Sequence, residues 1–273
     1  MWVNGKVEER KRAAGLTTEK GKASSRKSKG RQKKTASVVQ RLFDTCKEVF
    51  AGGGPGIVPS QEDVSRLSSF LDSMKPEDVD LDPALPYFSH SNSERLPSIT
   101  YIHLKHKENF SIGIFCLPES AVIPLHDHPG MTVFSKLLFG SIHIKSYDWV
   151  DTAQISNETI RPREGERLAK VKTDDVFNDT CKTSILYPES GGNMHCFTAL
   201  TPCAVLDVLG PPYSPSEGRD STYFDDFPYS SFPVGHIMPG EEEKYAWLKA
   251  RPEKPEGFTL DVAEYKGPKI LDK

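Results

Sequence analysis

"PLHDHPGMTVFSKLLFG", residues 124–140, decides how this chain is read. Two histidines, His126 and His128, stand one residue apart at the head of an alternating apolar run. In an extended strand, residues i and i+2 project from the same face, so both imidazoles can reach one ion. Pro124 before the pair and Pro129–Gly130 after it place the pair at a strand end, where a barrel mouth would expose it. The competing reading is two ordinary surface histidines. A metal site needs a third ligand from elsewhere in the chain.

"ILYPESGGNMHCFTAL", residues 185–200, offers one. Gly191 and Gly192 let the backbone turn sharply, and His195 then opens an apolar strand as His126 does. The chain between His128 and His195 is long enough for several strands, so two strands can bring three imidazoles to one point inside a barrel. The remaining histidines receive no such role. His103 and His106 differ by three, which predicts opposite faces of a strand. His143 alternates with Ile142 and Ile144, and His90 and His236 fall in loops. Cys196 is expected on the face opposite His195.

Outward from these motifs, a period of two runs from residue 99. "ITYIHLKH", "FSIGIFCLP", "MTVFSKLLFG", "SIHIKSYDW", "ERLAKVK", "TSILYP", "HCFTAL" and "AVLDVLG" are short segments separated by turn residues, the pattern of an antiparallel sandwich or barrel. "LLFGSIHI" reads as a tight hairpin around Gly140, and residues 151–166 and 214–240 read as irregular connections. Two amphipathic helices precede the strands. "SVVQRLFDTCKEVF" (37–50) repeats Val39, Leu42, Phe43, Cys46 and Phe50 at spacings of three and four, and "GGGPG" ends it. In "SQEDVSRLSSFLDSM" (60–74), Ser60 and Asp63 form a capping pattern ahead of Val64, Leu67, Phe70 and Leu71.

Charge divides the chain. The first 34 residues hold 12 Lys or Arg against 3 acids, while the whole chain carries −3, so the other 239 residues carry −12. Residues 1–35 have too few large apolar side chains to offset ordering entropy and are expected to be a disordered basic arm, with residues 36–273 forming one domain. "RKSKGRQKK" (26–34) reads as a nuclear-import signal or a solvated tail, and direct nucleic-acid contact is not expected. Five cysteines, an odd count without a CxxC pair, suggest neither a disulfide framework nor a zinc ribbon. Without a leader or a membrane-length apolar run, the expectation is a soluble intracellular monomer, in nucleus and cytoplasm, with no membrane contact.

The 124–140 stretch resembles the first cupin motif, in which HxH is followed after four residues by Glu and after six more by Gly. Gly140 falls at the closing glycine, but Val133 holds the carboxylate position and Ser120 replaces the glycine before HxH. The region of His195 resembles the second cupin motif, with Ala199 in place of Asn. More closely, "PLHDHPGMTVFSKLLFGSIHIKSYDW", "ILYPESGGNMHCFTALTPCAVLDVLGPPYS" and "GRDSTYF" resemble the plant cysteine oxidases, relatives of animal 2-aminoethanethiol dioxygenase, from about residue 37 to about 265.

The resemblance implies a mainly β fold, a cupin double-stranded β-helix (jelly-roll barrel) with short N-terminal helices. It implies Fe(II) held by His126, His128 and His195 and oxidation by O2 of amino-terminal cysteine on proteins to the sulfinic acid. The family's targets are oxygen-sensing regulators, mainly ethylene-response transcription factors, which are thereby marked for the N-degron pathway in hypoxia responses. Two substrate-side positions also match: Asp207, which would accept hydrogen bonds from the α-amine, and Tyr213, with its hydroxyl near the pocket rim. Thiol to sulfinic acid places both oxygen atoms on sulfur, which supplies all the electrons, so no organic cosubstrate is required. Two other readings stay open: a different metal-dependent cupin enzyme, and a non-catalytic nuclear cupin that binds transcription factors.

Overall fold

The computed structural model describes residues 36–89, 97–151, 165–231, 237 and 240–272. The basic arm, His90, Arg95 and His236 lie outside the described residues.

Ser37 and Ser60 each start a helix by accepting a backbone N–H three residues on, at 3.2 Å from Gln40 and 3.1 Å from Asp63. Helix α1 spans Val38–Val49 and α2 spans Gln61–Asp72. At α2 the Ser60 hydroxyl donates to the Asp63 carboxylate (2.7 Å). The apolar faces expected from the sequence are buried: Val39, Leu42, Phe43 and Cys46 on α1, and Val64, Leu67 and Leu71 on α2. Each large side chain so buried contributes roughly 1.5–3 kcal/mol. The glycine-rich loop after α1 is tied to the HxH turn, since Gly56 N–H donates to the Gly130 carbonyl (2.8 Å).

Among the described residues twelve strands follow: β1 Ile99–His106, β2 Ser111–Leu117, β3 Val122–His126, β4 Thr132–Phe139, β5 Ser141–Trp149, β6 Glu166–Asn178, β7 Ser184–Leu186, β8 Met194–Ala199, β9 Cys203–Gly210, β10 Phe224–Pro228, β11 Tyr245–Ala250 and β12 Leu260–Glu264. They form two six-stranded sheets, ordered β12-β1-β2-β9-β4-β7 and β10-β11-β6-β5-β8-β3. All neighbours are antiparallel except β1 and β12. The helices cover the outer face of the first sheet, packing on Ile112, Ile114, Phe134, Leu206 and Val208. Its inner face, through Leu117, Leu137 and Val205, meets Ile123, Ile142, Ile144 and Phe197 of the second sheet. Strands β4 and β9 are therefore buried on both faces, which is why they read as near-continuous apolar runs. This is the expected double-stranded β-helix with two helices before it.

Three expectations are corrected. "LLFGSIHI" is not a hairpin: β4 lies between β9 and β7, and β5 between β6 and β8, so the chain changes sheet at Gly140. Gly140 has φ +83°, and a Cβ there would collide with the Pro202 carbonyl and Cys203, so the corner requires glycine. His103 and His106 are not on opposite faces. A bulge between His103 and Lys105 breaks the alternation and brings their rings to 6.0 Å. The 214–240 connection contains β10, and β11 and β12 add two more strands beyond it. No helix among the described residues is long and apolar enough to cross a membrane. All five cysteines are free.

Candidate metal centre

Strand β3 ends at His126, whose cross-strand partner on β8 is His195. The chain then turns through Asp127, fixed by its N–H to the Thr222 carbonyl (3.1 Å) and by its Oδ1, which accepts from Thr222 N (2.7 Å). That turn brings His128 back beside the other two rings. Ring centroids are 4.7 Å apart for His126–His128, 4.9 Å for His126–His195 and 4.6 Å for His128–His195. One ligating nitrogen from each lies within 4.8 Å of the others, and no other cluster of three such donors occurs among the described residues. The two motifs are thus brought together as the sequence predicts.

Two of the rings have a fixed tautomer. His126 Nδ1 donates to the Pro124 carbonyl (2.8 Å) and His128 Nδ1 donates to the Asn193 carbonyl (2.8 Å). A carbonyl only accepts, so each Nδ1 keeps its proton and each Nε2 keeps a lone pair for a ligand. His195 stacks on Phe197, with centroids 4.3 Å apart at 21°. Burial lowers His126 to about 4, the backbone of Pro124 and His195 partly opposing it. Burial, reinforced by His126, lowers His128 to about 3. His195 is held well below its ordinary value, again mainly by burial. All three imidazoles are therefore neutral at pH 7, the form that binds metal. Three neutral nitrogens in one cluster fit a borderline divalent transition metal, leaving positions for other ligands. The position of the motif's missing carboxylate is apolar: Val133 is 1% exposed and packs with Met131, Leu186 and Leu209.

Asp207 sits on β9 with Gly113 and Ser135 as its cross-strand neighbours. Gly113 leaves the space that the Tyr101 ring occupies. The Asp207 carboxyl is 5% exposed, and its Oδ1 has no hydrogen-bond partner among the described residues. Burial pushes it up to about 7, with Ser135 partly opposing. An under-bonded buried carboxyl is costly, and such groups concentrate at functional sites. A small cavity of about 20 Å³, its lining including Val133, Ser135, Ser146, Leu186 and Phe197, lies beside His195, so Ser135 touches both the cavity and Asp207. Tyr213 is half-buried. Its hydroxyl donates to the Asp127 carbonyl (2.9 Å), between the two motif histidines, and its ring lies 5.9 Å from His128. Burial holds that hydroxyl well above its ordinary value.

Sequence reading passed over three residues here. Asn193 and Asp148 hydrogen-bond around the glycine turn before His195. Tyr223 bridges His126 through the backbone, with its ring 6.3 Å away. An amide placed directly after two glycines was the one available signal for Asn193.

A double-stranded β-helix that gathers three neutral imidazoles, with no carboxylate among them, defines a cupin-type barrel with an all-histidine candidate metal site. The sequence matches the PCO_ADO family over residues 70–270. It is 56% identical to plant cysteine oxidase 2 of Arabidopsis thaliana, covering 91% of this chain and 89% of that relative. It is 33% identical to 2-aminoethanethiol dioxygenase of Mus musculus, covering 86% and 97%. Among solved structures, an RmlC-like cupin protein from Desulfovibrio desulfuricans matches with TM-score 0.30 and 16% identity, over 47% of this chain and 94% of that one. The chain belongs to the PCO_ADO family.

Proposed function

We propose that the protein is an Fe(II)-dependent thiol dioxygenase that converts the amino-terminal cysteine of polypeptides to the sulfinic acid with O2. The observation that carries this reading is the trio of neutral imidazoles without a carboxylate. Ferrous iron bound there would supply the redox chemistry that lets dioxygen react with a thiolate. His126, His128 and His195 would hold it on one side, leaving its other positions for substrate and dioxygen.

The protein's own groups favour a cationic terminus. Asp207 offers an unpartnered carboxylate oxygen to an α-ammonium group and, with its carboxyl near 7, can also take up the proton that the amine gives up. Tyr213 holds the Asp127 carbonyl and so braces the turn between two ligands. Free cysteine would bring an α-carboxylate, costly to bury without a cation. The charge of Arg219 is already matched by the Glu217 carboxylate (2.8 Å), and its other terminal nitrogen donates to the Pro212 carbonyl (2.8 Å), which leaves only its buried Nε without a partner among the described residues. In a peptide that carboxylate is masked as an amide, while thiol and amine remain free. Cys-initiated peptides should therefore exceed free cysteine in kcat/KM by about tenfold or more, equivalent to about 1.4 kcal/mol. Mass spectrometry after aerobic incubation should show two oxygens added to the terminal residue. Equal rates on free cysteine, or oxidation of acetyl-capped peptides, would overturn the substrate assignment.

The resemblance to plant cysteine oxidases supports a wider role: oxygen sensing in the hypoxia response, with ethylene-response transcription factors as targets fed to the N-degron pathway. Action in nucleus and cytoplasm is supported by the basic run at 26–34. Fused to a cytosolic reporter, residues 1–35 should shift it into the nucleus. An unchanged distribution would leave the solvated-tail reading.

A further inference from the structure

We infer that Asn193 and Asp148 are positioning residues for the metal centre. Together they lock His128 to the turn that delivers His195. The inference rests on the three-histidine reading above and concerns what fixes the geometry of that trio.

His126 is oriented locally, by the carbonyl of Pro124 on its own strand. His128 lies beyond the end of β3, and its orientation is set from the other motif. The Asn193 carbonyl accepts from His128 Nδ1 (2.8 Å), the Asn193 Oδ1 accepts from His128 N (3.0 Å), and the Asn193 Nδ2 donates to the His128 carbonyl (3.0 Å). The second Nδ2 proton goes to the Tyr187 carbonyl (2.8 Å). One residue, 7% exposed, therefore grips both the backbone and the ring of a ligand and has both amide protons engaged.

Asn193 is itself held from β5. Asp148 accepts from Gly191 N (3.1 Å) through Oδ2, and from Gly192 N (2.7 Å) and Asn193 N (3.4 Å) through Oδ1. Three successive N–H groups of this turn thus converge on one carboxylate, as in an anion nest, and Gly191 and Gly192 supply the positive φ of +81° and +85° that the turn needs. Gly192 also packs against Ser146, where a Cβ would fall 2.8 Å from the serine Cβ. Ser146 is the β5 partner of His195. The same strand thus anchors the turn and faces the third ligand, so the spacing between His128 and His195 is set through Asp148 and Asn193. Groups behind ligands that orient them commonly contribute 10- to 100-fold in metal affinity.

The test is Co(II) titration of the purified protein, read by d–d absorption, alongside thermal melting of the metal-free protein. Wild-type binding with an Asn193→Ala protein weakened about 10- to 100-fold and an altered d–d spectrum is the expected result. Asp148→Ala should be weakened in the same sense, and Asp148→Asn, which keeps an acceptor oxygen, should recover part of the loss. A purely structural role would lower the melting temperature and leave affinity and spectrum unchanged. That outcome in folded Asn193→Ala, within about threefold of wild type, would overturn the inference. Should Asn193→Ala fail to fold, Asn193→Asp, which keeps the acceptor and loses the two amide donations, is judged by the same criterion. A wild-type protein that binds no Co(II) or Fe(II) would instead overturn the metal centre itself, and this inference with it.

Discussion

His195→Ala protein is expected to purify folded, free of iron and inactive. Loss of a direct ligand should cost more than the 10- to 100-fold typical of groups behind the ligands, so iron affinity should fall by more than about 100-fold. The side chain leaves a small gap over Phe197, while the core formed by Ile123, Ile142, Ile144 and Val205 is untouched. His126→Ala and His128→Ala should behave alike, because the three rings converge at similar separations. Iron content by mass spectrometry, beside oxygen uptake on a Cys-initiated peptide, measures both effects. Full iron occupancy in His195→Ala would sink the assignment.

Asp207→Asn should move activity and stability in opposite directions. Removing the acceptor for an α-ammonium group should lower kcat/KM by roughly 30- to 1000-fold, or about 2–4 kcal/mol. Stability follows from the raised carboxyl, at about 7 in the folded protein against 3.8 ordinarily. Between those values the folded protein retains a proton that the unfolded chain releases, so stability falls as pH rises through that window. Above pH 7 the ionised carboxylate costs up to about 4 kcal/mol. Asparagine cannot ionise and escapes that cost. The variant should therefore melt close to wild type at pH 4 and progressively higher as pH approaches 8. A melting difference that does not change with pH would show that the Asp207 environment does not penalise its charge.

The parts of the fold legible in the sequence are those whose burial is one-sided or complete. Strands β1, β2, β4, β5, β8 and β9 announce themselves because apolar side chains alternate or run unbroken. Strand β11 has a short buried run, Ala246–Leu248, but two other missed strands carry no such mark. In β12, Leu260–Glu264 is mostly exposed, and its hydrogen bonds with β1 hold it in place rather than any buried face. In β10, "FDDFP" has two acids and a proline. The Gly140 corner was misread because a positive-φ glycine serves a hairpin and a sheet crossing equally well, and only the neighbouring Pro202 tells them apart. His126, His128 and His195 were readable from spacing and a glycine turn. Asn193 and Asp148 were not, because hydrogen bonds to backbone groups distant in sequence leave no periodic trace.

His128 and Asn193 are 65 residues apart in the chain, and every strand from β4 to β7 is laid down between them. Their junction closes a long loop, an entropic cost repaid only when the intervening strands have paired. During synthesis, the first histidine pair emerges long before its partner on β8 exists. The ion pocket is therefore expected to form late in folding, with metal loading following barrel closure. An ion bound only by the closed barrel then opposes its reopening by mass action, so loaded and empty populations should differ in lifetime as well as in chemistry.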